Sequence, residues 1–271
     1  MPAPNDQAFK EQFSWEKKAT HNPLFAVMAV GEFAEKGADP SEWTREDLER
    51  FFAKGQFIYD LFLRPVIERN GLNREDAFIV EYGSGMGRIL RAVNAAGFKC
   101  AGIDISPTML KYSSLLVPQV PQLLALGEHG HCDIPTGSAD LVYSFAVMQH
   151  IPTLKNVRTA IAEMSRMLKP GGLLKLHFRT MSSPFKELGF THRRWVHNFE
   201  LTSLILRWAK PWKAVPALPL LVLVRHTNWV GVPLSYYNLQ RFLNKAGVRL
   251  IGIEQDVGLK TGFAWALGRK D

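Results

Sequence analysis

Glu81-Tyr82-Gly83-Ser84-Gly85-Met86-Gly87-Arg88 decides how the rest of the chain is read. It follows a short apolar run and precedes residues 88–96, whose spacing predicts a helix. Glycines at 83, 85 and 87 let the backbone turn sharply between the two. They also let a ligand approach the main chain with no Cβ in the way. A dinucleotide fingerprint would place its last glycine at position 88, where this chain has Arg88. An acidic residue, Glu81, stands two places ahead of the first glycine instead. Such a turn also serves purely structural ends, so its meaning depends on what surrounds it.

Outward from this turn the chain alternates. AFIVEYG (77–83) and KCAGIDI (99–105) read as strands, residues 107–116 as a helix and DLVYSFA (140–146) as a strand. Residues 155–168 read as a helix and GLLKLHF (172–178) as a strand. Strands and helices joined by short links predict a parallel sheet covered on both faces. Residues 181–235, rich in Trp, Pro and basic side chains, break the rhythm and read as an inserted cap. A helix over 236–246, a strand VRLIGIE (248–254) and a strand GFAWALGR (262–269) follow. Only the last follows its predecessor without a helix, so it is expected to run antiparallel to a neighbour. Upstream, Phe51, Phe52, Phe57, Ile58, Leu61, Phe62, Val66 and Ile67 recur at helical spacing, with Gly71 and Asn73 as a stop. Residues 1–72 are therefore read as a helical N-terminal lid, 73–180 as the core, and 236–271 as its C-terminal part.

Composition sets the outer bounds. The 271 residues, 46% hydrophobic and 21% charged, suit one large α/β domain with a cap. Two cysteines, Cys100 and Cys132, make neither a disulfide framework nor a metal-ligand spacing, so a reducing compartment and no metal are expected. The N-terminus lacks the apolar core of a secretory signal. The longest apolar run, residues 214–224, is too short to cross a bilayer and contains Pro216 and Pro219. A soluble, cytoplasmic protein is the expectation. The formal charge of +8 is uneven: residues 181–271 carry 13 Lys/Arg against 5 Asp/Glu. A basic third of this kind fits an anionic acceptor, a nucleic acid or an acidic membrane surface, and equally a solvated face.

Three further motifs fall in register with the first. Asp104 ends the second strand, 23 residues after Glu81, where a carboxylate can accept both hydroxyls of a ribose. The helix starting at Pro107 is capped better by Ser106 than by Asp104. Cys132-Asp133-Ile134-Pro135 lies in the loop before DLVYSFA. Met167-Leu168-Lys169-Pro170-Gly171-Gly172 ends a helix and leads into GLLKLHF.

Together these four motifs, over about residues 77–178, resemble the class I S-adenosylmethionine-dependent methyltransferases, and most the small-molecule members. The resemblance implies a Rossmann-like α/β fold with a seven-stranded, mostly parallel sheet and one antiparallel strand. It implies S-adenosylmethionine as cofactor. Glu81 would anchor the methionine ammonium, and Gly83, Ser84, Gly85 and Gly87 would line the methionine. Asp104 with Ile105 would hold the ribose, Asp133 and Ile134 the adenine, and Met109 and Phe145 would complete the pocket.

A sulfonium is already activated, so such an enzyme mainly aligns the acceptor and removes a proton where one must leave. His150, in Met148-Gln149-His150-Ile151-Pro152, is placed for that as a base, or packs against the cofactor as in many relatives. His177, near the end of a strand, is a second catalytic candidate or a core histidine. Arg193 and Arg194, beside Trp195, could clamp an anionic acceptor, and the cap's apolar and basic stretch could touch a membrane surface. The expected reaction is methyl transfer to a small molecule, at an oxygen of a sugar, glycolipid or secondary metabolite. The alternatives are an RNA methyltransferase and a non-catalytic cofactor-binding protein. DNA is not expected, because Ser144-Phe145-Ala146-Val147 stands where base amino-methylating enzymes carry N/D-P-P-Y/F.

Overall fold

The computed structural model describes residues 6–28, 33, 35–127, 130–180, 231–256 and 262–271. All of the expected cap except residues 231–235 lies outside them, and so do Arg193 and Arg194. One seven-stranded sheet forms the centre: β1 (Phe78–Tyr82), β2 (Lys99–Asp104), β3 (Gln122–Ala125), β4 (Ala139–Ser144), β5 (Leu168–Arg179), β6 (Val248–Gln255) and β7 (Phe263–Lys270). The spatial order is β3-β2-β1-β4-β5-β7-β6, and β7 alone runs antiparallel, to both β5 and β6. The strand after β1 goes to one side and β4 to the other. That reversal opens a crevice at the carboxyl ends of β1 and β4, where ligands of open α/β sheets sit.

β3 is the strand the sequence does not mark. It is four residues long, lies at the sheet edge and has only half-buried or exposed side chains. Pro118 and Pro121 precede it, and nothing in its pattern separates it from a loop.

Alternation along the strands builds two cores. Ile79, Leu141, Tyr143, Leu173 and Trp265 point to one face. They are covered by α5 (Leu90–Ala95) and by the long helical rod α3 (Arg45–Ile58), a π-turn (Tyr59–Leu63) and α4 (Arg64–Arg69). Val80, Val142, Leu174, Leu176 and Phe178 point to the other face, under α7 (Leu154–Met167) and α8 (Tyr236–Lys245). Each fully buried aliphatic or aromatic side chain contributes about 1.5–3 kcal/mol. The π-turn explains why the upstream apolar set is not uniformly buried. It brings Phe62 onto Trp265, with ring centroids 4.9 Å apart, and leaves Phe57 and Leu61 exposed on the outer side.

Capping agrees with the sequence. Thr44 and Asp47 form a capping box on α3. Ser106 caps α6 (Pro107–Leu116) by accepting from Met109 N–H, as its position predicts. The remaining N-terminal helices, α1 (Asp6–His21) and α2 (Pro23–Met28), form the lid over the carboxyl ends of the strands. They share a core with Phe51, Met86 and Met109. No helix among the described residues is long and apolar enough to cross a membrane.

Candidate active site

The glycine turn is held from both sides. Gly83 and Ser84 donate their N–H groups to the Ile103 carbonyl at 2.7 and 2.9 Å. All three glycines have positive φ: +80° at Gly83, +52° at Gly85 and +80° at Gly87. A Cβ on Gly83 would lie 2.2 Å from Val147 Cγ2, and one on Gly87 would lie 2.6 Å from Val117 Cγ2. Gly85 differs, because a Cβ there would meet only Val27 of α2, at 3.4 Å. Gly83 and Gly87 are thus fixed by packing, and Gly85 is the open crest of the turn beneath the lid.

Asp104 joins β2 to this crest. Its Oδ2 accepts from Gly85 N–H at 2.8 Å, and its Oδ1 accepts from Ser106 N–H at 2.9 Å. Each carboxylate oxygen keeps a second lone pair for a ligand. Burial raises its affinity for a proton, against the pull of those backbone donors. Ile105 is half-buried beside it, whereas Met109 is fully buried in the lid core.

Glu81 lies deeper. It is 3% exposed and accepts a hydrogen bond from Tyr143 Oη at 2.9 Å. Burial pushes its carboxyl up to about 8, despite Tyr143 and the nearby Arg88 charge. Burial likewise brings Arg88 down to about 10. Arg88 donates to Met28 Sδ and sits 5.7 Å from the Phe145 ring.

The lid reaches the same corner through a residue that no sequence motif marks. The Glu16 carboxylate of α1 accepts from Ser106 Oγ at 2.6 Å and from Thr108 N–H and Oγ1. Burial alone would raise its proton affinity, but these donors outweigh it and hold Glu16 below the usual carboxylate range. Next to Glu16 in α1, Trp15 meets the His150 ring edge-on at 4.9 Å, and Lys18 lies over Trp15. Burial and the Lys18 charge push His150 down to about 4. That is well below the near-neutral value expected of a tuned base.

On the β4 side the chain leaves Ser144 through Phe145 and Ala146, which has a positive φ of 58° without being glycine. This bend seats Val147 against Gly83 and leaves Phe145 against His177, ring centroids 4.7 Å apart. His177 is 3% exposed and stacks parallel to Phe263 at 5.2 Å and tilted to Trp265 at 4.9 Å. Its Nε2 lies 3.0 Å from Asp256 Oδ2. Asp256, just past β6, was not among the residues picked from sequence. It shares a site with His177 only because β7 lies between β5 and β6.

The acidic loop is anchored from behind. Glu163 Oε1 accepts from Cys132 N–H at 2.9 Å, and Arg166 bridges Glu163 and the Cys132 carbonyl. Asp133 is exposed at the rim, and Ile134 is buried in the core under α7. Gly83, Ser84, Gly85 and Asp104 thus meet at the ends of β1 and β2, with Phe145 and His177 in contact past β4 and His150 under Trp15 of the lid. Glu81 and Met109 are buried. Among the described residues no His/Cys/Asp/Glu cluster of metal-site size occurs.

Residues 80–176 match the family described as the methyltransferase domain. That stretch holds the glycine turn, Asp104, the acidic loop, the bend after β4 and most of β5. Over that stretch the chain is similar to the methyltransferase domain family. Solved structures share the fold around it. A methyltransferase from Methanosarcina mazei has a TM-score of 0.55 at 19% identity, covering 78% of this chain and 99% of its own. Magnesium protoporphyrin IX methyltransferase from Synechocystis PCC 6803 has a TM-score of 0.58 at 12% identity, covering 96% and 100%. The demethylmenaquinone methyltransferase of Tropheryma whipplei (strain Twist) is 27% identical over 114 residues, 41% of this chain. The chain spans 46% of the length of that relative. The family match begins within β1, and the N-terminal helices lie outside it.

Proposed function

We propose that this chain transfers a methyl group from S-adenosylmethionine to a small-molecule acceptor. The junction of Asp104 with Gly85 carries the reading: one carboxylate fixes the open crest of the glycine turn and keeps lone pairs at the end of β2. A second feature supports the fit. Among the described residues, Ser84 Oγ, Arg88 Nε and Gln149 Oε1 are buried without a hydrogen-bond partner, and all three belong to the segments that follow β1 and β4. Polar atoms buried and unpaired are costly unless a ligand completes them. The known relatives match in kind: the Synechocystis enzyme was solved with bound S-adenosylhomocysteine.

In this reading Asp104, with Ile105, holds the ribose, and the backbone from Gly83 to Gly87 lines the methionine. Glu81 faces the ammonium, and Asp133 with Ile134 borders the adenine. Met109 supports the pocket from the lid core, and Phe145 closes it towards the acceptor. Bound there, the cofactor supplies a methyl group already activated on a sulfonium. The protein aligns the acceptor, excludes water through α1 and α2, and provides a place for the departing proton.

The half-buried rings of Phe145 and Phe263 beside His177 favour a flat hydroxylated secondary metabolite over a sugar or glycolipid as acceptor. A quinol is one such ring, and the Tropheryma relatives are named for demethylmenaquinone. Arg193 and Arg194 stay candidates for an anionic group on that acceptor.

Methyl transfer from isotopically labelled cofactor into separate pools of quinols, phenols, sugars and RNA tests the reading. Label should enter a small-molecule pool, and at limiting cofactor Asp104→Ala should lower that transfer at least about tenfold. Label entering RNA, or cofactor binding with no transfer into any pool, would count against it.

A further inference from the structure

His177 and Asp256 form a buried pair that no motif in the chain marks. His177 Nε2 is 3.0 Å from Asp256 Oδ2, whose side chain is wholly buried. The other ring nitrogen, Nδ1, is also buried and has no hydrogen-bond partner. A carboxylate can only accept, so the hydrogen bond requires the proton on Nε2 and leaves a lone pair on Nδ1. An enclosed lone pair with nothing to accept is a costly arrangement, which a donor hydroxyl would relieve.

The pair also lies beside the bend after β4. His177 contacts Phe145, and two residues on Val147 packs on Gly83 of the glycine turn.

We propose that Asp256 is the positioning residue for His177, holding the Nε2 proton so that Nδ1 receives the proton of the acceptor hydroxyl as its oxygen is methylated. The assignment rests on the methyltransferase reading above and names the base within it. The acceptor O–H bond breaks and its proton goes to Nδ1. The oxygen lone pair forms the new bond to the methyl carbon. The carbon–sulfur bond breaks and leaves its electron pair on sulfur, which passes from sulfonium to thioether. The imidazolium forms beside the Asp256 carboxylate, which stabilises it until the proton returns to water.

Lys175, two residues before His177, is paired with Glu254 at 3.0 Å and lies 5.5 Å from the Trp265 ring. Arg88 lies beyond Phe145, with Glu81 and Tyr143 behind it on β1 and β4. β7 contributes Phe263 and Trp265 against the ring. Burial lowers the proton affinity of His177 and Asp256 raises it, with burial the larger effect. Removing the Asp256 charge therefore weakens the base further.

The test uses the full chain saturated with S-adenosylhomocysteine, with 4-nitrophenol as a hydroxyl probe. Calorimetry first establishes that wild type, Asp256→Asn, Asp256→Glu and His177→Gln all bind S-adenosylhomocysteine equally. Nitrogen-15 NMR of the imidazole should then show the wild-type His177 proton on Nε2, and the probe should perturb Nδ1. The bound probe should ionise at lower pH than free probe. In Asp256→Asn that midpoint should move up by about one pH unit, a tenfold change in proton transfer, with Asp256→Glu partly restoring it and His177→Gln abolishing the effect. A proton on Nδ1, a probe that fails to perturb His177, or the same probe midpoint in wild type and Asp256→Asn would overturn the proposal. Loss of S-adenosylhomocysteine binding by the wild type would instead refute the cofactor reading, which keeps the two failures apart.

Discussion

Gly55→Ala puts two opposing effects in one residue. Gly55 lies inside α3, where alanine would gain about 1 kcal/mol of helix propensity. In the fold, however, a Cβ at 55 would lie 2.0 Å from the Arg88 carbonyl oxygen and 2.6 Å from its carbon. Those are backbone atoms and cannot rotate away. Restoring ordinary contact, about 3.4 Å, requires α3 to retreat by about 1.4 Å from the start of α5. Overpacking of this kind typically costs about 1–3 kcal/mol, so against the propensity gain the clash should win by up to about 2 kcal/mol. At about 2–4 °C per kcal/mol for a chain of this size, thermal denaturation should show a Tm lower by several degrees. Because Arg88 directly follows the glycine turn, S-adenosylhomocysteine affinity should fall about tenfold as well. A raised Tm with unchanged affinity, the behaviour of an unconstrained helix glycine, would refute the close packing of α3 on the turn.

Three further outcomes follow from the buried charges. Glu81, at about 8, is mostly protonated at pH 7, so an ammonium bound beside it should release up to about 0.9 proton. Calorimetry in buffers of different ionisation enthalpy reads this, and Glu81→Gln should abolish it. His150 is held at about 4 against an unfolded value near 6.5, so the unfolded chain binds the extra proton between those limits. Its share of stability should be lost as pH falls from about 6.5 to 4, and denaturant titrations of His150→Gln should show a flatter slope there. Glu81 has the opposite sign: its contribution is complete below about 4.5 and lost as pH rises towards 8. Glu163→Gln weakens the charge-assisted bonds to Cys132 N–H and Arg166, so the acidic loop should loosen. A several-fold weaker affinity for S-adenosylhomocysteine, with little loss for the homocysteine fragment alone, is the expected calorimetric result.

The elements legible in the sequence were those with local signals. The glycine turn, the Ser106 cap, the helix over 107–116 and the antiparallel last strand all follow from neighbouring residues, and the structure has each of them. β3 was not legible, because a short edge strand buries too little to impose alternation. The same limit applies to the site. Asp104 announces itself by ending a strand at a fixed distance from Glu81. Asp256 and Glu16 act across 79 and 90 residues of sequence, on His177 and Ser106, and nothing local distinguishes them from ordinary surface carboxylates. His150 illustrates the reverse case. Its position past β4 fits either a base or a residue packed against the cofactor, and only the fold shows that Trp15 and Lys18, brought over it by the lid, give it an environment that favours the neutral ring.

The central claim is that the Asp104–Gly85 junction is a cofactor site, and calorimetric titration with S-adenosylhomocysteine tests it most directly. Wild type should bind one equivalent per chain. Asp104→Ala, shown to be folded by circular dichroism, should bind more weakly by about 10- to 150-fold, the equivalent of roughly 1.5–3 kcal/mol for hydrogen bonds to a charged group. No binding by the wild type, or undiminished affinity in the folded variant, would contradict the account.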